Sequence, residues 1–155
     1  MSYAAVTKSN ILYQPRLNII QLINNNLTNV VQIYSYFPNQ KSVAFKGYPF
    51  IVIPDSSEQQ PERYLGTDVK EFASIVEGTM YHEVKSLGDN KLRTLKQDIF
   101  EAINKKVNER ILDGYNQKDI MIEIDSSSDT PLLIDQNEVI EIGFTITYTV
   151  EVSFL

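Results

Sequence analysis

Apolar and polar positions alternate with a period of two along two long segments of the chain, residues 69–85 and residues 138–155. In the second segment one parity is apolar from residue 140 to residue 154, whereas the other is mostly threonine, glutamate and small residues. The apolar positions are Ile140, Ile142, Phe144, Ile146, Tyr148, Val150, Val152 and Phe154. The alternation predicts two long strands, the second of which has one buried face.

Two other segments carry apolar residues at the three- to four-residue spacing of an amphipathic helix. The first covers residues 15–29, and Pro15 suits its first turn because the N–H that proline lacks would have no partner there. Its buried stripe is predicted to comprise Leu17, Ile20, Ile23 and Leu27. The second covers residues 91–112, and Gly114 stands where a left-handed C-terminal cap is expected.

Three shorter apolar segments, residues 31–37, 48–53 and 119–125, predict further strands. The polar segment 54–68 is predicted to be a long exposed loop, and residues 1–14 an N-terminal arm. A chain of 155 residues is the size of one domain. The predicted fold is therefore a single α+β domain, with a mainly antiparallel sheet of long strands packed against two helices.

The two predicted long strands exceed the expected width of the domain. A compact sphere built from this chain would be roughly 39 Å across, whereas a strand of about seventeen residues spans about 56 Å at ~3.3 Å per residue. The strands therefore either bend, with Gly78 and Gly143 as candidate positions, or project and offer backbone groups to a neighbour. A bulged and coiled sheet is the alternative.

Residue types that carry enzyme or metal chemistry are scarce. The chain has no cysteine and a single histidine, His82, which has no partnering nucleophile motif. The acidic stretches 125–129 and 135–138 lack the glycine and terminal glutamate of a calcium-binding EF-hand loop. The few glycines do not cluster into a phosphate-binding loop. We expect no catalytic residue, no cofactor and no metal site, and hence a protein that is not an enzyme.

Charge is unevenly distributed along the chain, whose net charge is −6. Residues 91–113 hold six basic and four acidic residues, net +2, whereas residues 117–155 hold one lysine and eight acids, net −7. Glu71, Glu77 and Glu83 share one parity at intervals of about 20 Å, too far apart for a glycosidase pair. A solvated face explains these acids most simply. The functional interpretation is a surface that does not hold DNA, since an acidic protein gains no affinity from counterion release.

The termini carry no recognisable targeting segment. The first residues lack the basic region and apolar run of a signal peptide. No apolar run approaches the ~20 residues that span a bilayer. We expect the protein to remain in a cytoplasm or in a particle assembled there.

The order of these features resembles the tail terminator, or tail-completion, family of long-tailed phages. An amphipathic helix is followed by a short aromatic-Pro-apolar strand at residues 48–53, a polar loop, a long strand, a second helix and a closing strand that contains residues 144–152. The resemblance covers most of the chain apart from residues 1–14. It implies a hexameric ring that caps the tail tube and binds both the tail-tube protein and a head-completion or connector protein. It also implies location in the virion after assembly in the host cytoplasm, with DNA passing through unbound and no contact with a membrane.

Two sets of residues follow from this interpretation. Arg63, Tyr64 and Leu65 combine a charge, an aromatic ring and an apolar side chain, as interface anchors often do, and we expect them to contact an adjacent subunit or the tail tube. The acids expected to face the lumen are Glu71, Glu77, Glu83, Glu141 and Glu151, with the basic residues of 91–110 outside it. The alternatives are a monomeric binding or accessory module with the same fold, and a head-completion, neck or tail-tube protein.

Overall fold

The structure, a computed structural model, describes residues 3–26, 32–39, 41–43, 45–55, 58–64, 68–83, 97–98, 100–101, 117–124, 132–134 and 137–155. These residues form one complete helix and seven strands. The elements are α1 (Gln14–Asn26), β1 (Gln32–Tyr34), β2 (Phe50–Val52), β3 (Glu58–Tyr64), β4 (Val69–Glu83), β5 (Gln117–Ile124), β6 (Leu132–Ile134) and β7 (Asn137–Ser153). The α+β class predicted from the sequence is confirmed.

The strands form one mixed sheet with the order β1-β2-β4-β7-β5, and β3 and β6 pair with β4 and β7 respectively. The β1–β2 pair is parallel and the other pairs are antiparallel, so the predicted antiparallel sheet has a parallel edge. Most of the second predicted helix, 91–112, lies outside the described residues. Its four described residues, 97–98 and 100–101, are helical, and Gln97 Nε2 donates to Glu101 Oε1 at 2.9 Å.

The centre of the sheet is the long ladder between β4 and β7. It runs from Val69 opposite Ser153 to Glu83 opposite Val139 without a register shift. Irregularities occur instead in the flanking strands, between Pro61 and Arg63 of β3 and between Lys118 and Met121 of β5. The bulges that the sequence left open therefore lie in the outer strands and not in the two long ones.

The predicted apolar face of β7 forms the centre of the core. Each of its alternate positions from Ile140 to Val152 is buried, and they pack with Val76 and Met80 of β4. Phe154, which the pattern placed on the same face, is 38% exposed because β7 ends at Ser153. Helix α1 covers this face through Ile19, Leu22 and Ile23.

The buried side of α1 is rotated relative to the prediction. Leu17 is 44% exposed, Ile20 is only partly buried, and Leu27 lies outside the described residues. The predicted buried stripe differs from the observed one because two polar residues, Arg16 and Asn18, lie on the buried side of the helix. Both donate hydrogen bonds to backbone carbonyl groups.

The predicted N-terminal arm packs onto the domain and contributes to its core. Tyr3 and Val6 belong to the hydrophobic cluster, and Asn18 Nδ2 donates to the carbonyl of Ala4 at 2.9 Å. Thr7 N donates to Asn10 Oδ1 at 2.7 Å, which closes the turn before α1. Tyr3 and Val6 are isolated apolar residues without periodicity, so the sequence pattern did not predict that they join the core.

The segment 54–68, predicted to be an exposed loop, instead contains strand β3. Strand β3 pairs with β4 from Glu58 opposite Ile75 to Tyr64 opposite Lys70. Its composition is polar and includes Pro61, which cannot donate to a ladder and is tolerated only at sheet edges. An edge strand needs no hydrophobic alternation, and a polar edge limits unwanted pairing.

Candidate functional site

The face of the sheet opposite α1 carries the predicted glutamates. Residues directly opposite each other on neighbouring strands point to the same side of a sheet, and the register pairs Glu71 with Glu151 and Tyr81 with Glu141. All five predicted acids therefore share one face, and Glu123 of β5 joins them because it lies opposite Thr145. We call this side the acidic face, defined by Glu71, Glu77, Glu83, Glu123, Glu141 and Glu151.

The six carboxylates differ in their exposure. Glu71 is buried, with 6% of its surface accessible. Glu77 and Glu123 are exposed, and Glu83, Glu141 and Glu151 are half-buried. Glu77 and Glu123 flank Thr145 from two sides, which places their strands about 10 Å apart. The negative charge that this face offers to a partner therefore comes from five of the six residues, and least from Glu71.

Tyr81 anchors one end of the acidic face. Burial raises the pKa of the Tyr81 hydroxyl to about 12, and the charge of Glu141 and the hydrogen bond that Tyr81 donates to it act in the same direction. A hydrogen bond with Thr79 lowers that pKa in part. Tyr81 is thus a protonated donor at neutral pH and holds the Glu141 carboxylate in place.

An aromatic cluster packs beside Tyr81 and forms a second, smaller core on the acidic side. The Phe50 ring is fully buried and stacks on Tyr81 with a centroid separation of 5.1 Å. Phe37 meets both rings edge-on. The other members are Tyr34, Phe45 and Tyr48. The sequence predicted a strand at residues 48–53. It did not predict that Ile51 and Ile53 would join the main core while Phe50 joins the aromatic cluster on the opposite face.

The chain that carries this cluster is held by local contacts. Gly47 has a φ of +102°, a left-handed conformation that strongly favours glycine. The next residue upstream, Lys46, donates its backbone N–H to the Tyr34 hydroxyl at 3.0 Å. The turn therefore returns the chain across the acidic side before β2 begins.

A groove of about 510 Å³ crosses the acidic face at the middle of the sheet. Its wall residues include Pro54, Glu77, Thr79, Glu123, Gly143 and Thr145. Gly143 contributes no side chain, so the groove is open between two cross-strand pairs of the acidic face. These pairs are Glu77 with Thr145 and Tyr81 with Glu141. Two exposed carboxylates and two threonines make it a polar and negatively charged depression.

Arg16 reaches the edge of the sheet next to this groove. Its guanidinium donates from Nη2 to the carbonyl of Ile53 at 2.7 Å and from Nε to the carbonyl of Pro54 at 2.7 Å. Nη1 lies 3.2 Å from Asp55 Oδ1. Arg16 is nearly buried, whereas the Asp55 side chain is 84% exposed, so the carbonyl contacts dominate. No feature of the sequence singled out Arg16.

The described residues offer charge and shape rather than a reactive centre. Among them, no group of three or more histidine, aspartate and glutamate side chains is arranged to hold a metal ion. His82 Nδ1 lies 3.1 Å from the carbonyl of Glu83. The glutamates give this face a predominantly negative charge, although the register also places Arg63 opposite Glu71 and Lys118 opposite Thr149.

The structure places two of the three predicted interface residues. Arg63 and Tyr64 lie in β3, where they are the partners of Glu71 and Lys70, and Leu65 lies outside the described residues. The expectation that these residues contact another protein stays a prediction.

Comparison with known proteins finds neither a family model nor a curated protein that matches this chain. No helix among the described residues has the length and apolar character needed to cross a bilayer. The geometry of the acidic face is therefore the basis for a functional proposal.

Proposed function

We propose that the protein is a ring-forming structural subunit of a virus tail, which terminates the tail tube and joins it to the head connector. The observation that carries this proposal is the collection of six glutamates on the sheet face that α1 does not cover. In this proposal the protein has no catalytic role and needs no cofactor. It is assembled in the host cytoplasm and remains in the virion.

The acidic face suits the wall of a DNA channel. Each lysine or arginine that contacts a phosphate adds affinity through counterion release, so a channel that must not trap DNA should present few of them. Charge repulsion is screened over about 8 Å at physiological salt, so only side chains near the wall act on the duplex. Five of the six glutamates have exposed surface and meet this condition, whereas Glu71 contributes little; the five are Glu77, Glu83, Glu123, Glu141 and Glu151.

The length of the central ladder supports a role in assembly. Strand β7 has 17 residues, and at ~3.3 Å per residue it extends about 56 Å, beyond the roughly 39 Å of a compact sphere. A subunit of this shape can reach its neighbours along the sheet. The bulges in β3 and β5 disturb the outer ladders and limit open-ended strand pairing, which favours a closed ring over a fibre.

Arg63, Tyr64 and Leu65 are the proposed anchors on the neighbouring subunit or the tail-tube protein. Arg63 and Tyr64 are the last two residues of β3, and Leu65 lies outside the described residues. A mixed charged, aromatic and apolar set is typical of residues that dominate binding energy at interfaces.

A monomeric binding or accessory module is the second candidate. Tyr36 and Val43 are strongly exposed and lie on the segment that carries the aromatic cluster, which favours a small apolar contact surface in place of a ring. Head-completion, neck and tail-tube roles are variants of the ring proposal and predict the same acidic lumen.

Mass photometry and negative-stain electron microscopy, with and without tail tubes, distinguish these candidates. Rings of about six subunits, or density only at tube ends, support the terminator role. Particles along the tube wall would instead indicate a tail-tube role. Monomers that ignore the tubes would favour the accessory module. A double variant, Glu77→Gln with Glu123→Gln, serves as a control, because removing lumen charge should leave ring formation intact.

A further inference from the structure

The segment 35–49, which crosses from β1 to β2 at one edge of the described sheet, presents an apolar and basic surface. Val43 is 97% exposed, and Tyr36 is strongly exposed as well. Lys41 and Lys46 are exposed in the same segment, which has no acidic residue and therefore a net charge of +2. An apolar surface rimmed by charged residues is typical of a protein–protein contact. We call segment 35–49 the crossover segment.

Turn hydrogen bonds and ring packing fix the shape of the crossover segment. Ser42 N donates to the carbonyl of Asn39 at 3.0 Å, and Phe45 N donates to the carbonyl of Ser42 at 3.1 Å. The Phe45 ring packs edge-on against Phe50 with a centroid separation of 5.4 Å. Val43 is therefore displayed between a hydrogen-bonded turn and a ring anchored in the aromatic cluster. A preorganised side chain loses little conformational entropy when a partner buries it.

The opposite edge of the sheet carries the complementary charge. Strand β6 pairs with β7 on the side away from β4, and Leu133 lies opposite Glu138 in this antiparallel pair. Both side chains are exposed, that of Leu133 to 75%. The sequence of segment 125–138 has four acidic residues and no basic one, a net charge of −4. We call Leu133 and Glu138 the β6 patch.

The two surfaces stand at the same end of the long strands. Phe50 of β2 is level with Tyr81 and Glu141, and Leu132 of β6 is level with Val139. These two rows are two residues apart along β7, about 7 Å at ~3.4 Å per residue. A neighbouring copy can therefore place its β6 patch beside the crossover segment with little shift along the strands. A contact between two different surfaces repeats from copy to copy and closes into a ring if the rotation between copies allows it.

We propose that the crossover segment of one copy binds the β6 patch of the next, with Val43 against Leu133 and the two lysines beside Glu138. Opposite charges set the orientation, and the apolar pair excludes water from the contact. An accessory module would place an unrelated protein on the crossover segment, but the acidic stretch at the opposite edge of the same chain favours a second copy. This contact rests on the ring proposed above for its number of copies, and it identifies the two surfaces that meet in that ring.

Charge reversal on each surface tests the contact by sedimentation velocity of the full-length protein. Wild type should self-associate below about 1 mM. Raising the salt from about 0.1 M to about 1 M, which shortens the Debye length from about 10 Å to about 3 Å, should weaken this association. Lys41→Glu with Lys46→Glu, and separately Glu138→Lys, should each weaken it about tenfold or more. A mixture of the two variants should form a heterodimer and nothing larger, because each variant keeps the surface that the other has lost.

Two matched controls separate this contact from general effects of charge and exposed apolar surface. Glu77→Lys makes the same change of charge as Glu138→Lys, but on the acidic face, and should alter the association little. Val43→Ser removes an apolar side chain from the contact and should weaken the association about tenfold. Leu12→Ser, at another strongly exposed apolar residue, should leave it unchanged.

Failure of this contact and failure of the terminator role give different results. Rings at tube ends that assemble equally well in all these variants would refute the contact and leave the terminator role standing. A heterodimer of the two charge variants, with no ring or tube binding by wild type, would support the contact and refute the terminator role. A wild type that does not associate up to about 1 mM would refute the contact. Single-stranded DNA bound by a monomeric chain, and lost on Lys41→Glu with Lys46→Glu, would overturn the contact by assigning the crossover segment to nucleic acid.

Discussion

Phe144 lies directly over Gly78, its partner on the neighbouring strand, and fills the space that a side chain at position 78 would occupy. A Cβ built on Gly78 would stand 2.8 Å from Cε2 and 3.1 Å from Cε1 of this ring. Phe144 is buried and cannot swing away without disturbing the core. The glycine therefore exists for close packing across the ladder.

Replacing Gly78 with alanine should destabilise the protein. Overpacking of a buried site typically costs about 1–3 kcal/mol, although alanine is the better residue in a strand on conformational grounds. Urea denaturation of Gly78→Ala measures the change. Gly143→Ala is the matched control, because it points into the open groove and should be neutral or stabilising. Equal stability of Gly78→Ala and wild type would contradict the packing described.

The face assignment of β7 predicts alternating sensitivity to alanine. Phe144→Ala and Ile146→Ala each remove a buried side chain and should cost about 2–5 kcal/mol. Thr145 and Thr147 are neighbours of these residues in the chain but point to the opposite face of the sheet. Thr145→Ala and Thr147→Ala should therefore reduce the free energy of unfolding far less. Thermal denaturation checks all four variants, and a shift near zero for both core variants would refute the assignment.

The sequence predicted β7 well because every inward position from Ile140 to Val152 is apolar, whereas the outward positions from Glu141 to Ser153 are polar or glycine. It misplaced the inner side of α1, because Arg16 and Asn18 are buried through hydrogen bonds to backbone carbonyls that a sequence pattern cannot show. It missed β3 because an edge strand with Pro61 has no apolar face. The sequence shows which alternating face of its own strand Glu71 or Glu151 occupies. Only the pairing register of the structure shows that these two glutamates lie opposite each other.

Arg16 should contribute more to stability than its ion pair indicates. Arg16→Met leaves the carbonyls of Ile53 and Pro54 without the guanidinium donors, which should cost about 1–3 kcal/mol. Asp55→Asn removes only an exposed ion pair, worth about 0–1 kcal/mol. Chemical denaturation of the two variants separates the contributions, and similar losses for both would show that the carbonyl contacts matter little.

Tyr81 should remain protonated well above the pH at which an ordinary tyrosine ionises. Its pKa of about 12 in the folded protein exceeds the ordinary value of 10.0, so the folded state binds this proton more tightly than the unfolded state. The stabilisation from Tyr81 is complete below pH 10 and is lost as pH rises from about 10 to about 12. Ultraviolet titration of wild type against Tyr81→Phe isolates this group.

Glu141→Gln provides the control for the Tyr81 titration. Removing the negative charge should lower the Tyr81 pKa, but only in part, because burial is the largest cause of the shift. A Tyr81 that titrates near 10 in the wild type would contradict the partial burial of Tyr81 and its hydrogen bond to Glu141.

A map by cryo-electron microscopy of the protein bound to tail-tube ends tests the proposed function most directly. We predict a closed ring whose lumen is lined by the acidic face, with Glu77, Glu83, Glu141 and Glu151 toward the channel and the basic residues of 91–110 outside it. At least one of Arg63, Tyr64 and Leu65 should be buried against a neighbouring subunit or the tube. A lumen lined by lysine and arginine with these glutamates on the outer surface, or the absence of any ring at tube ends, would contradict the account.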